Sequence, residues 1–131
     1  MKDRINRSIT RQFKAIFPSV LNNHGSLFGG TALQWMDEVA YIAATRFTRK
    51  KMVTVSVDKV QFLSPVKSGT IAEIIAEVIT VKNVKIEIQV EIYIEDMYFD
   101  NRQKAISSIF TFAALNEVNR PIPIILKERS N

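Results

Sequence analysis

Between Asn22 and Glu38 the chain reads NNHGSLFGGTALQWMDE, a stretch that holds its only histidine, three of its four glycines and two adjacent acids. Gly25, Gly29 and Gly30 stand ahead of an apolar run, where the lack of a Cβ lets a ligand come close to the main chain. At the start of a helix the first backbone N–H groups lack partners and the dipole is positive, so a carbonyl oxygen gaining charge would be stabilised there. A tight loop needing positive φ accounts for any one glycine, whereas three so close together favour close backbone approach. The spacing is not that of a dinucleotide fingerprint, a phosphate loop or a nucleophile elbow, because Ser26 in GSLFG is wrongly placed.

Asp37 and Glu38 are the only charges from Gly25 through Thr45. On a helix Asp37 would share its face with Gly30, Leu33, Ala40, Tyr41 and Ala44, which is almost wholly apolar. Glu38 would lie with Gln34 and Thr45 and hydrogen-bond structurally. A carboxylate in apolar surroundings is costly unless partnered, and such an environment suits a general base. The competing account of Asp37 is a buried acid satisfied by a backbone N–H or by a basic residue from elsewhere.

These residues must be positioned by the surrounding elements. Asn22 to about Phe47 is rich in Ala, Leu, Gln, Met and Glu with no proline, which predicts a helix with Gly29 and Gly30 just before it. Leu33, Trp35, Met36, Val39, Tyr41 and Ile42 surround nearly its full circumference, so the helix is expected to be buried all round. Ile86, Ile88, Val90, Ile92 and Ile94 alternate with Glu87, Gln89, Glu91, Tyr93 and Glu95, the period of a strand with one buried face. MVTVSVDKVQFL and TIAEIIAEVITV are β-branched runs split by the turn signal SPVKSG, and KAISSIFTFAAL follows the polar EDMYFDNR. An earlier strand is expected within Ser8 to Phe17. One strand, one long helix and four consecutive strands predict an α+β fold with an antiparallel sheet around a central helix. Ala72 and Ala76, between Ile74 and Val78, would leave room for that helix.

The 131 residues predict one domain over 1–131, with a core at about 8–115 and a tail at 116–131. The absence of cysteine excludes disulfides, thiolate metal sites and a cysteine nucleophile, and one histidine cannot by itself build a zinc site. No metal is expected. MKDRINRSITRQF has no signal-like apolar core, and no apolar run reaches the roughly 20 residues of a membrane span, so a cytoplasmic protein with no membrane partner is expected. The net charge of +5 and pI near 9.6 invite an anionic partner. Only RFTRKK, Arg46 to Lys51, is dense and no aromatic-interleaved basic stripe occurs, which argues against nucleic acid. A phosphorylated small ligand fits the charge, and most single Lys and Arg residues are read as solvated surface.

Asn22, Gly25, FGG at Phe28 to Gly30, MDE at Met36 to Glu38 and the following TVSVDKVQFLSPV together resemble the hotdog-fold acyl-CoA thioesterases, in the branch of the YciA-type enzymes and the brain-type cytosolic acyl-CoA hydrolase. The resemblance covers about Ser8 to Leu115. It implies a sheet wrapped around one long central helix, a homodimer as the minimum unit, assembly into a hexamer as a trimer of dimers, and hydrolysis of acyl-CoA at sites shared between subunits. It implies Asp37 as the catalytic acid, Asn22 as the loop asparagine with Asn23 an adjacent candidate, Gly30 as oxyanion donor, and Phe28, Gly29, Gly30 and Ser56 as substrate contacts. Coenzyme A is then part of the substrate rather than a cofactor, its phosphates answering Arg46 to Lys51 or Lys82 to Lys85. One departure from the family pattern is HG in place of NG or AG before the loop, which gives His24 a loop-bonding role. The related dehydratases use a loop histidine next to a proline, and HGSLF has none. The alternatives to hydrolysis are a non-catalytic acyl-CoA-binding hotdog protein and a hotdog dehydratase or hydratase.

Overall fold

The apolar patterning folds much as its periods dictate. The computed structural model describes residues 1–124 and 126; positions 125 and 127–131 of the expected tail lie outside the described residues. The order is α1 (Lys2–Ser8), β1 (Thr10–Ala15), α2 (Gly29–Thr48), β2 (Lys51–Phe62), β3 (Thr70–Val81), β4 (Lys85–Asp96) and β5 (Gln103–Leu115). The opening stretch, which lacks a signal-like apolar core, begins with α1, where Arg7 pairs with Asp3 one turn earlier at 2.9 Å. The five strands form one antiparallel sheet in the order β1-β3-β4-β5-β2.

Alternation in β4 buries Ile86, Ile88, Val90, Ile92 and Ile94 on the face towards α2. Ala72, Ile74, Ala76 and Val78 of β3 are buried beside them. The helix answers with Ala40, Ala43 and Ala44, all buried. Small residues on both surfaces bring backbone to backbone, while Met36, Val39 and Phe47 fill the spaces between.

Two expectations are corrected. The helix starts at Gly29, not near Asn22, so the two glycines form its first turn rather than preceding it. Residues 22–28 are instead held in a turn in which Gly25 has φ +78°, a conformation that a side chain would strain. Nor is α2 covered all round. The sheet buries one flank, while Tyr41 and Ile42 remain 48% and 44% exposed on the other. The helix thus carries exposed apolar residues on that flank.

The two sheet edges differ. β1 is six residues long and carries Arg11 and Lys14, whereas β2 is twelve residues long and exposes Val53, Val55 and Val57. Its register against β5 slips between Thr54 and Ser56 and again between Asp58 and Gln61, with Lys59 at φ +53°. These are β-bulges, which twist a strand and re-aim its side chains.

Candidate active site

The loop ahead of α2 is organised by one side chain. Asn22 Oδ1 accepts hydrogen bonds from the backbone N–H of His24 at 2.9 Å and of Ser26 at 3.1 Å, and the Asn22 N–H donates to the Ser26 carbonyl at 2.7 Å. Such local bonds are the reason asparagine favours turns. These bonds use the Asn22 amide oxygen and not its nitrogen, and Asn23 and His24 are exposed. His24 contributes its backbone N–H to the turn.

Leu27 then ties the loop to Val66 through a 2.7 Å backbone bond, and Phe28 is the residue before the first turn of α2. The first intrahelical bond runs from the Ala32 N–H to the Phe28 carbonyl at 3.0 Å. The N–H groups of Gly29, Gly30 and Thr31 therefore lack intrahelical acceptors, and no side chain caps them. The two glycines are not equivalent. A Cβ on Gly29 would meet the Phe62 ring at 3.3 Å, so that position is small because β2 crosses over it. A Cβ on Gly30 would meet nothing within 4 Å. The space over Gly30 is open, and packing within this chain does not call for a glycine there.

Asp37 lies two turns further along the same face, about 10 Å of axial rise from Gly30. Side chains on a helix tilt towards its N-terminus, so the carboxylate leans towards the glycines. It is half-buried, and one oxygen accepts a 2.7 Å hydrogen bond from the Thr54 hydroxyl. That contact satisfies one lone pair at the sheet side and leaves the second oxygen available. Glu38, expected to hydrogen-bond structurally, is exposed on the open flank.

Thr54 was not among the residues expected from the sequence, which singled out Ser56. Both are hydroxyl residues at alternate positions, and a regular strand would put them on one face. The bulge at Val55 separates them. Thr54 is opposite Phe112, which faces α2, while Ser56 is opposite Thr111 on the outer face and lies 3.4 Å from Asp58 Oδ2. The structure thus brings Thr54 to Asp37 and turns Ser56 away within the chain. A shift of one residue in strand register carries no compositional signal, which is why the sequence did not single out Thr54 as the partner of Asp37.

A cavity of about 270 Å³ opens beside the start of α2, lined by Ser26, Leu27, Phe62, Leu63, Pro65 and Val66 among others. It falls just below the usual range of small-ligand sites, about 300–1,000 Å³. Phe28, Phe62 and Leu63 next to it are each more than half exposed. No helix among the described residues is long and apolar enough to cross a membrane.

Residues 24–99 match the family model described as the thioesterase superfamily. The chain is 34% identical over 109 residues to a Bacillus subtilis protein named acyl-CoA thioester hydrolase YkhA, covering 83% of this chain and 63% of that protein. It is 36% identical over 110 residues to the cytosolic acyl coenzyme A thioester hydrolase of Rattus norvegicus, covering 82% of this chain and 29% of the relative. The chain thus spans less than two-thirds of the length of these two relatives. Among solved structures it superposes on an acyl-CoA hydrolase from Bacillus cereus with a TM-score of 0.89 and 36% identity, over 95% of this chain and 77% of the other. An acyl-CoA hydrolase from Staphylococcus aureus, solved in complex with butyryl coenzyme A, coenzyme A and coenzyme A disulfide, gives a TM-score of 0.86 at 30% identity, over 97% and 78%. That enzyme has also been solved with an aspartate, a threonine or an asparagine replaced by alanine. A hexameric thioesterase from Yersinia pestis gives a TM-score of 0.80 at 27% identity, over 87% and 93%.

Proposed function

Because the chain belongs to the thioesterase superfamily of hotdog-fold proteins, we propose that it hydrolyses acyl-CoA thioesters to coenzyme A and a carboxylic acid, with Asp37 driving the attack. The observation that carries this reading is the Thr54–Asp37 hydrogen bond at 2.7 Å, which fixes a carboxylate on the same helix face as the uncapped N–H groups of Gly29 and Gly30. A structural acid sealed in the core would have both oxygens bonded. Here one is free and leans towards a place where backbone donors await an oxyanion.

In this reading the thioester carbonyl sits over Gly30, where the open space admits it, and accepts from the Gly30 N–H with help from Gly29. Asp37 takes a proton from water as the oxygen attacks the carbonyl carbon, giving a tetrahedral oxyanion held by those donors. Collapse breaks the C–S bond, and the departing thiolate receives the proton from Asp37. A direct attack by Asp37 through a mixed anhydride uses the same geometry. Single turnover in ¹⁸O-water identifies an anhydride that is opened at the aspartyl carbon, because only that route leaves label in the Asp37 carboxylate; trapping the acyl-enzyme with hydroxylamine tests for an anhydride opened at the acyl carbon. The spacing in the Staphylococcus aureus enzyme supports the assignment: its three substituted residues are separated by fifteen and seventeen positions, as Asn22, Asp37 and Thr54 are here. Phe28, Gly29 and Gly30 contact substrate in this reading, and Ser56 does so only from the outer face of its strand.

The site is completed by a second copy. The exposed apolar residues of the α2 flank, the exposed valines of the edge strand β2 and the undersized cavity are what a β2-to-β2 pairing would account for. Asn22, whose amide nitrogen is not spent on the loop, serves the partner's Asp37 by orienting water or the carbonyl. The dimer would build further into a hexamer like that of the Yersinia relative. A cytoplasmic location agrees with the absence of cysteine and with the cytosolic rat relative.

The test is thiol release from a panel of short- to long-chain acyl-CoA substrates by the wild type, Asp37→Ala and Asn22→Ala proteins. Loss in Asp37→Ala with fold and assembly intact is expected. No release from any substrate by the wild type would sink the reading and leave a binding protein. Mixing the two inactive variants tests the sharing: re-assorted dimers should regain part of the activity, and no recovery would place both residues in one subunit's site.

A further inference from the structure

We propose that the opposite end of α2 carries a second anion site, a cradle for a phosphorylated ligand formed by Arg4, Arg7, Arg46 and Arg49. These four side chains line a cavity of about 330 Å³, within the range of small-ligand sites. It lies on the order of 24 Å along the helix from Gly30, at 1.5 Å per residue.

Cations near a helix C-terminus have a bland explanation, since they complement its negative end. That end amounts to only about half an elementary charge. Among the described residues the one carboxylate bonded to any of the four is Asp3, which pairs with Arg7 at 2.9 Å. Four guanidinium groups against one carboxylate and half a charge leave a clear positive surplus around the cavity.

Arg4 and Arg46 are also held in place rather than left to wave in solvent. Arg46 donates to the Ile9 carbonyl at 3.1 Å, the Thr10 hydroxyl at 3.0 Å and the Arg7 carbonyl at 2.7 Å, so it bridges α1, β1 and α2. Arg4 donates to the Phe47 carbonyl at 2.8 Å and lies over the Phe47 ring. Each guanidinium has five N–H donors, and those not used in these bonds remain for a planar or tetrahedral oxyanion.

Arg49 gives the independent sign. It closes α2 in the left-handed conformation, φ +55° and ψ +34°, the position at which helices favour glycine. A branched-off side chain costs stability there relative to glycine, and the residue present is one that can contribute a charge to the cavity.

Two sources supply this chemistry: the phosphates of coenzyme A, in which case the site rests on the thioesterase reading above, or a separate phosphorylated effector. Calorimetric titration of the wild type with inorganic pyrophosphate at about physiological ionic strength is the test, and it needs no turnover. One site per chain is expected, weakened about tenfold or more in each of Arg7→Gln and Arg49→Gln, as loss of a charge-assisted bond implies. Both variants leave the Arg46 and Arg4 bonds in place, so folding is preserved. Repeating the titration with Asp37→Ala protein saturated with coenzyme A identifies the source: displacement assigns the cradle to the coenzyme, and co-occupancy assigns it to a second ligand. No binding by the wild type, or equal binding by the wild type and both variants, overturns the proposal.

Discussion

The two ends of α2 handle negative charge by opposite means. At the N-terminal end there is no cationic side chain in the first turn, only Gly29 and Gly30 with bare N–H groups, and the helix dipole itself is favourable to an anion. At the C-terminal end the dipole is unfavourable and carbonyls face outward, so side chains must reverse the sign, and four arginines do so. The difference matters chemically. Backbone donors are fixed and suit a charge that appears for an instant on one atom, whereas guanidinium groups suit a permanent anion that stays bound.

The largest way to break this contrast is to silence the N-terminal chemistry. Asp37→Ala should lower kcat/KM by about 10²- to 10⁴-fold, the range of a lost general base, with the melting temperature little changed. Gly30→Ala is next and is more diagnostic. Since a Cβ there meets nothing in the chain, helix propensity should stabilise the fold by up to about 1 kcal/mol while the methyl group crowds the carbonyl and cuts turnover by about 10²-fold. A stable and fully active Gly30→Ala enzyme would show that no substrate approaches that backbone. Thr54→Val keeps the shape but removes the hydrogen bond to Asp37, and a loss of about tenfold in kcat is expected.

At the other end Arg49→Gly should do the reverse of Asp37→Ala. Relief of the left-handed arginine stabilises the protein by about 1 kcal/mol, kcat is unchanged, and pyrophosphate affinity falls. The smallest effect is expected away from both ends, at Lys104, whose 2.6 Å bond to Glu91 holds its pKa above the usual 10.5. A raised pKa means the pair contributes below 10.5 and is lost as pH rises through the higher folded value, so Lys104→Met should differ from wild type in denaturant midpoint at neutral pH and converge with it in strong alkali. The difference at neutral pH should be small, as for exposed ion pairs generally.

Much of this architecture was legible in the residues. Strand β3 runs from Thr70 to Val81, as the β-branched run between the SPVKSG turn and the polar Lys82–Asn83 implies, and the alternation of β4 names its buried face without ambiguity. Asp37 stood out because an acid on an alanine-rich helix face has a cost that needs an explanation. What escaped was whatever depends on two segments meeting. The Asp37 partner required knowing that β2 slips by one residue at Val55, and the arginine cradle joins Arg4 and Arg7 to Arg46 and Arg49 across some forty residues of chain. The exposure of Tyr41 and Ile42 was likewise hidden, because an apolar surface looks the same in sequence whether its own sheet or another copy covers it.

The strand order carries one more consequence, for how the protein is made. β2 follows α2 directly in the chain, yet among the described residues its only neighbour in the sheet is β5, and Thr54 is registered against Phe112. A nascent chain therefore presents Asp37 and Thr54 to its surroundings well before the strand that aligns them has been synthesised. Pairings between segments so far apart in sequence fold slowly as a class, and β5 is the strand against which β2 is registered. The register that sets Thr54 beside the aspartate on which turnover is proposed to rest thus depends on the last strand of the sheet to be made.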